Sequence, residues 1–173
     1  YGVAKTFDYY SNVHARNGID GAGTATYSRV HYSSNYVNAF WSDSCFCMTY
    51  GDGNASYKVL TSLDVAGHEM THGVTSRTAK LVYSGESGGL NEAMSDIHGT
   101  MTEFYARGGS GSTIGNTGGN WLIGEQLNAT PLRYMYKPSK DGASKDAWYA
   151  GSGSIDVHYS SGPLNRAFYF LSQ

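Results

Sequence analysis

Residues 62–75 read SLDVAGHEMTHGVT, a short string in which two histidines flank a glutamate. The pattern predicts a helix from about Leu63 to Ala79, with Ser62 as its N-cap. His68 and His72 are four residues apart, so on a helix they lie about 40° from each other and can bind one metal ion. Such strings also occur by chance in many helices, and the rest of the chain decides between a zinc site and an ordinary helix.

A catalytic zinc site needs a third protein ligand and an open position for water. Glu69 points about 100° away from His68, where it can reach a water molecule on the metal rather than the metal itself. One known arrangement supplies a third histidine through HExxHxxGxxH. That arrangement is excluded here, because Thr75 and Thr78 occupy the matching positions.

A carboxylate from a second helix is the other common arrangement. A helix is predicted at about Leu90–Arg107, and it places Glu92 near its start. Asp96 follows four residues later on the same face, where it can accept a hydrogen bond from a ligating imidazole. Taken singly, Glu92 could be a carboxylate favoured by the helix dipole and Asp96 a solvated residue. The linked order of HEMTH, nineteen residues, Glu and then Asp favours a zinc site.

Length and composition limit the function classes. The chain has 173 residues, enough for one large domain or two small ones with a sizeable core. The net charge is −2 and only 15% of residues are charged, which does not favour nucleic acid or a charged membrane surface as partner. No apolar run approaches the length of a membrane span. The chain starts at Tyr1 without a signal peptide, so we expect a processed product or a fragment.

The remaining segments are predicted from periodicity and turn residues. We expect a first helix over 3–16, strands between Thr24 and the Gly-Asp-Gly turn at 51–53, and a glycine-rich link, SGESGG, before the second long helix. A flexible or metal-ordered loop is predicted over 108–120, and a last helix begins near Pro163.

Two cysteines, Cys45 and Cys47, are separated by one residue. That spacing excludes a zinc knuckle, which needs two or more intervening residues and a second pair. Positions i and i+2 share a face of a strand, so a bond between the two sulfurs is possible. Free thiols, or partners elsewhere in a longer chain, are the open alternatives.

Six blocks spread in order over the whole chain resemble the thermolysin family of secreted zinc neutral metallopeptidases. They are VHYSSNYVNAFW, MTYGDG, LDVAGHEMTHGVT, YSGESGGLNEAMSD, TPLRYM and DVHYSSGPLNRAFYFLS. Within the family the chain is most similar to vibriolysin, pseudolysin and the griselysin-like members of Streptomyces. Two histidines and a glutamate are the ligand set of thermolysin itself.

The resemblance implies an α+β fold of the zincin type. Residues 1–79 would form the end of a β-rich N-terminal domain that includes the HEMTH helix. Residues 80–173 would form the first part of a mainly helical C-terminal domain. Both parts would be truncated, so the chain would be a central fragment that carries the catalytic site.

The resemblance also implies how peptide bonds are hydrolysed. Zinc would activate a water molecule, a carboxylate would act as general base, two donors would stabilise the oxyanion, and a further carboxylate would orient one donor. The zinc ligands would be His68, His72 and Glu92, and the general base would be Glu69. The two donors would be Tyr83 and His158, with Asp156 as the carboxylate that orients His158.

An extended peptide is expected to bind along the strand YVNAFW in the manner of an added β-strand. The expected contacts are Asn38, Ala39, Trp41 and Arg133. The resemblance also implies a pocket for the residue just after the cut bond; this pocket would be apolar, so it would favour a bulky hydrophobic side chain. Its walls are Leu60, Val65, Ile123 and Leu132.

Further implications concern a second metal and the setting of the protein. One structural calcium ion is expected at Asp64, Glu103, Asn120, Leu122 and Glu125. The family implies secretion, protein or peptide substrates, a pro-region in the precursor and a monomer without nucleic-acid or membrane partners. The alternative is a truncated metal-binding fragment with impaired catalysis. A structural-zinc module is weaker, since it leaves Glu69, Tyr83 and His158 unexplained.

Overall fold

The computed structural model describes residues 1–109 and 117–173. The helices are α1 (Gly2–His14), α2 (Leu63–Arg77), α3 (Gly85–Ala106), α4 (Val157–Ser160) and α5 (Gly162–Leu171). The strands are β1 (Tyr27–Arg29), β2 (Ala39–Ser42), β3 (Cys47–Tyr50), β4 (Leu122–Ile123) and β5 (Arg133–Tyr134), and two 3-10 helices span Pro138–Asp141 and Ser152–Ser154. A small β part therefore precedes a mainly helical part, which confirms the predicted α+β class.

The loop predicted over 108–120 lies partly outside the described residues. Within the parts of the chain that the structure describes, no helix combines the length and the apolar character that a membrane span requires.

A three-stranded sheet precedes α2, with β3 between β1 and β2. All four residues of β3 are buried, and the strand pairs parallel with β1 and antiparallel with β2. This order leaves β2 at an edge of the sheet. The turn between β2 and β3 carries a disulfide between Cys45 and Cys47, which decides among the three alternatives for these cysteines.

The long helices α2 and α3 cross in antiparallel fashion through a pair of glycines, Gly67 and Gly99. A Cβ atom on Gly67 would lie 2.8 Å from the Cα atom of Gly99, so only glycine permits this approach. The close crossing brings His68 beside Asp96 and His72 beside Asn91. The glycine pair therefore sets the distance between two helices that both carry predicted zinc ligands.

Helix α3 begins five residues earlier than predicted, and this difference is a correction. The segment SGESGG is not a link, because the helix begins at Gly85, and Glu92 lies in its second turn rather than near its start. Gly88 and Gly89 disfavour a helix by intrinsic propensity, but here the absence of side chains lets α4 pack closely against α3. A Cβ atom on Gly88 would lie 2.5 Å from Cγ1 of Val157. Tertiary packing therefore outweighs local propensity.

Helices α1, α2 and α5 follow the prediction to within a few residues, whereas no helix was predicted at α4. α1 ends at His14, and Ala15 takes the left-handed conformation with φ of 52°. α2 begins at Leu63 as predicted but ends at Arg77. α5 has Pro163 in its first turn, which confirms the expected start of the last helix.

Candidate active site

Three side chains converge between α2 and α3. The Nε2 atoms of His68 and His72 are 3.0 Å apart, and the carboxylate oxygens of Glu92 lie 3.4 Å from the first and 3.3 Å from the second. Glu92 is fully buried, and its Oε2 atom has no hydrogen-bond partner. Within the described residues, no other three His, Cys, Asp or Glu side chains converge in this way. Two imidazoles and one carboxylate fit the donor set that zinc prefers.

The outer nitrogens of the two imidazoles face acceptors. Nδ1 of His68 lies 2.9 Å from Oδ1 of Asp96, and Nδ1 of His72 lies 2.7 Å from Oδ1 of Asn91. The amide of Asn91 is oriented by its Nδ2 atom, which donates to the carbonyl of Leu81 at 3.1 Å. Each Nδ1 therefore carries the proton in the neutral ring, and each Nε2 presents a lone pair to the gap between the rings.

Asp96 is a fully buried carboxylate that joins three elements. Besides His68, it accepts hydrogen bonds from Nε and Nη2 of Arg133 on β5 at 2.7 and 2.6 Å, and from Nδ2 of Asn165 on α5 at 2.8 Å. Burial raises the pKa of Asp96, but Arg133 and His68 outweigh it and hold the pKa well below its usual range. The carboxylate therefore stays ionised and orients His68.

The charges around His68 favour a cation at its Nε2 atom. Burial lowers the pKa of His68, but the carboxylates of Glu92 and Asp96 outweigh it and raise that pKa to about 9. Burial also acts against the charged form of Glu92, yet His68, His72 and Arg133 hold the pKa of Glu92 well below its usual range. A metal ion that binds here therefore replaces a proton on the imidazole.

The predicted catalytic residues surround the same point. Glu69 is buried and lines the cleft together with the three converging side chains. The hydroxyl of Tyr83 donates to Oε1 of Glu92 and lies 3.4 Å from Nε2 of His158. Asp156 caps α4 by accepting from the backbone N–H of His158 at 2.9 Å, and it also accepts from Nδ1 of that ring at 2.7 Å. The cap therefore turns Nε2 of His158 toward the cleft.

An open cleft of about 650 Å³ contains this constellation. All eight residues expected to contact substrate line it, namely Asn38, Ala39, Trp41, Leu60, Val65, Ile123, Leu132 and Arg133. The guanidinium of Arg133 has five N–H donors, and its bonds to Asp96 use two of them. Further donors therefore remain for a bound molecule.

The residues expected to bind calcium gather near the far end of α3. Oδ2 of Asp64 accepts from the backbone N–H of Gly124 at 2.5 Å, and Nδ2 of Asn120 donates to Oε1 of Glu125 at 3.1 Å. The Oε2 atoms of Glu103 and Glu125 are buried without a partner. Burial, with the charges of Glu125 and Asp64, raises the pKa of Glu103.

Arg107 already pairs with Oε1 of Glu103 at 2.7 Å, and a metal cation would compensate the repulsion that remains among the carboxylates. The remaining expected ligand, Leu122, donates its backbone N–H to Oδ1 of Asn120 at 2.8 Å.

Sequence reasoning missed the partners of His72 and one partner of Asp96. Asn91 and Ser95 both contact Nδ1 of His72, and the Oγ atom of Ser95 lies 3.1 Å from it. These two residues are four apart on α3, as are Glu92 and Asp96, and each directly precedes one of that pair. That spacing was a usable signal. Asn165 lies 69 residues from Asp96 and carries no local signal.

Comparison with known proteins identifies the family. The sequence pattern of the thermolysin metallopeptidase catalytic domain matches residues 1–76, and that of the alpha-helical domain matches residues 79–173. The chain belongs to the thermolysin family of metallopeptidases. Members of the thermolysin family use catalytic zinc and structural calcium, and His68, His72 and Glu92 form a possible zinc site in this chain.

Relatives of this thermolysin-family chain match along its whole length. It is 65% identical to the transglutaminase-activating metalloprotease of Streptomyces mobaraensis over 100% of this chain and 22% of that protein. It is 43% identical to thermolysin of Alicyclobacillus acidocaldarius over 100% of this chain and 32% of that protein. The solved precursor of protealysin from Serratia proteamaculans superposes with a TM-score of 0.81 at 30% identity, over 99% of this chain and 57% of that one. The chain thus spans about a fifth to a third of these two curated relatives.

Replacing Asn91 by Ala tests the orientation of His72. The variant removes the nearer acceptor of Nδ1 and leaves only the Oγ atom of Ser95 at 3.1 Å, so we expect zinc to bind about 10-fold more weakly, the lower end of the range for such outer partners. Asn91→Asp is the matched control, because it keeps an acceptor oxygen at the same position. Zinc affinity is measured by competition with a chromophoric chelator. Equal affinity of Asn91→Ala and the unsubstituted protein would exclude this role for Asn91.

Proposed function

We propose that the chain carries the active centre of a secreted zinc endopeptidase that cuts on the amino side of bulky hydrophobic residues. The convergence of His68, His72 and Glu92 beside the buried carboxylate of Glu69, in one open cleft, carries this proposal. When bound, zinc polarises a carbonyl and lowers the pKa of a coordinated water to about 7.

Side chains around the metal site would transfer the proton, stabilise the oxyanion and orient one of its donors. Glu69 would accept the proton of the attacking water and pass it to the nitrogen of the leaving amine. Tyr83 and His158 would donate to the carbonyl oxygen as it gains negative charge. Asp156 would hold His158 by its Nδ1 atom and so keep Nε2 directed at that oxygen.

Substrate would bind along the edge of the sheet. β2 is an edge strand, so its free backbone groups can pair with an extended peptide, with contacts at Asn38, Ala39 and Trp41. Arg133 would donate to a carbonyl beyond the cut bond. The pocket formed by Leu60, Val65, Ile123 and Leu132 would take the next side chain, whose burial contributes about 1.5–3 kcal/mol for a residue such as Leu or Phe.

Several features support the proposed setting. The Cys45–Cys47 disulfide favours an oxidising compartment, which agrees with secretion. The precursor form of the similar protealysin structure supports a pro-region, and the low net charge agrees with a protein without nucleic-acid or charged membrane partners. The expected monomer rests on the family resemblance alone. The boundary between the two domains, 1–79 and 80–173, would follow the HEMTH helix.

Metal analysis and peptide cleavage test the proposal together. We expect about one zinc and one calcium per chain, and cleavage of a quenched fluorescent peptide at a Gly-Leu bond. A zinc-selective chelator should abolish cleavage, and added zinc should restore it. A peptide with Gly-Asp at the same position is the matched control and should be cut far more slowly.

The same experiment separates the second candidate, a metal-binding fragment with impaired catalysis. One observation favours this candidate: α5 exposes Phe170 and Leu171 at 59% and 87%, an apolar surface of the kind that destabilises a domain when uncovered. Zinc without cleavage would identify the impaired fragment. A protein that binds no zinc would exclude both candidates.

A further inference from the structure

We propose that Asp43 makes the cleft selective for lysine or arginine two or three residues before the cut bond. This inference rests on the proposed function, because it assigns a specificity to the same cleft. Asp43 lies just after β2 and lines the cleft, and its side chain is 55% exposed. Its carboxylate is therefore accessible to a bound peptide.

The row of residues along α2 places Asp43 relative to the metal ligands. His68, His72 and Ser76 succeed one another at intervals of four, and all three line the cleft. Ser76 therefore lies about 6 Å beyond His72 along the helix axis. Its Oγ atom donates to Oδ1 of Asp43 at 2.7 Å, which places the carboxylate at that end. Val65, a wall of the apolar pocket, precedes His68 and lies at the opposite end.

The two ends of the cleft therefore receive opposite ends of the substrate. In the proposed reaction the apolar pocket holds the residue just after the cut bond, so the end at Asp43 holds residues before it. An extended peptide advances about 3.3 Å per residue, which brings the second or third residue before the bond close to the carboxylate.

Neighbouring donors fix the carboxylate and leave one oxygen available. Nε1 of Trp41 donates to Oδ1 at 3.1 Å, Ser76 donates to the same oxygen, and Nη2 of Arg77 lies 3.4 Å from it. None of these contacts uses Oδ2. The guanidinium of Arg77 also lies over the ring of Phe46, with its carbon 5.2 Å from the centroid, so Arg77 is shared between two partners. A substrate ammonium or guanidinium can therefore bind at Oδ2.

Peptide series provide the test, with the full-length, zinc-loaded protein. All peptides share one Gly-Leu bond and carry Lys, Gln or Glu at the second or third position before it. We expect kcat/KM to be about fivefold higher for Lys than for Glu at low salt, a ratio typical of an exposed ion pair. The ratio should shrink at high salt, because mobile ions screen exposed charges.

Two variants assign the preference to its residue. Asp43→Asn keeps an oxygen for Trp41 and Ser76 but loses the charge, so the ratio of Lys to Glu should fall to about one. Asp52→Asn is the matched control, since it removes one exposed carboxylate that pairs with His31 outside the cleft. That control should keep the full preference.

A binding measurement separates this inference from the proposed function. Zinc-loaded Glu69→Gln is titrated with the same labelled peptides, and the Lys peptide should bind more tightly than the Glu peptide. If the unsubstituted protein cuts no peptide but this order of binding holds and is lost in Asp43→Asn, the cleft selects a cationic side chain through Asp43 while the proposed function fails. If both peptides are cut equally and Asp43→Asn changes nothing, Asp43 has no such role and the proposed function stands.

Discussion

Glu69→Gln is expected to lower kcat by about 10²- to 10⁴-fold, the range that a general base typically contributes. The amide has nearly the shape of the carboxylate but cannot accept the proton. Zinc should stay bound, because the three converging ligand atoms belong to His68, His72 and Glu92. A filled metal site together with lost turnover would show that Glu69 takes part in the reaction without being a ligand.

Turnover of the Gly-Leu peptide and zinc content are measured on the same preparation. Glu86→Gln is the matched control, because Glu86 is exposed on α3. Its Oε1 atom accepts a hydrogen bond from Nε1 of Trp148 at 3.0 Å, and the amide oxygen of glutamine can accept the same bond. Its activity should match that of the unsubstituted protein. Full activity of Glu69→Gln would exclude the base, and loss of zinc would place Glu69 in the metal site.

Gly99→Ala is expected to have the largest effect on stability. The added Cβ atom would lie 2.5 Å from the carbonyl oxygen of Asp64 and 3.1 Å from the backbone nitrogen of His68. Both contacts are with backbone, which cannot rotate away, so the helices α2 and α3 must separate. Overpacking of this kind typically destabilises by about 1–3 kcal/mol. Each kcal/mol lowers Tm by about 2–4 °C in a chain of this size.

Zinc affinity should fall in the same variant, because His68 lies on one helix and Glu92 on the other. Tm is recorded with and without zinc, and zinc affinity by chelator competition. Gly153→Ala is the matched control, since its Cβ atom would meet nothing closer than Cγ of Glu86 at 3.5 Å. An unchanged Tm and zinc affinity in Gly99→Ala would show that the helices accommodate the methyl group.

The i, i+4 spacing on two helices predicted the metal ligands of the candidate site and the carboxylate behind one of them. His68 with His72, and Glu92 with Asp96, are local pairs, and their residue types fit a metal and the carboxylate behind it. The resemblance to the family added Tyr83, which no spacing indicated. Its hydroxyl meets Glu92, although its catalytic role remains a prediction.

What the sequence could not predict depends on contacts between distant segments. The early start of α3 depends on α4, which packs against Gly88 and makes glycine favourable where local propensity disfavours a helix. Asn165 reaches Asp96 from a helix that follows it by 69 residues. The cysteine spacing allowed three outcomes, and only the turn between β2 and β3, with Phe46 at φ of 52°, brings the two sulfurs together.

The shared carboxylate of Asp96 has a consequence for how the metal is held over time. Its four hydrogen bonds come from α2, β5 and α5, so the orientation of the His68 imidazole is coupled to the docking of all three. Proteins open locally at free energies below that of global unfolding. A local opening that separates α5 would remove the hydrogen bond of Asn165 and loosen the carboxylate behind His68, while the crossing of α2 and α3 stays intact.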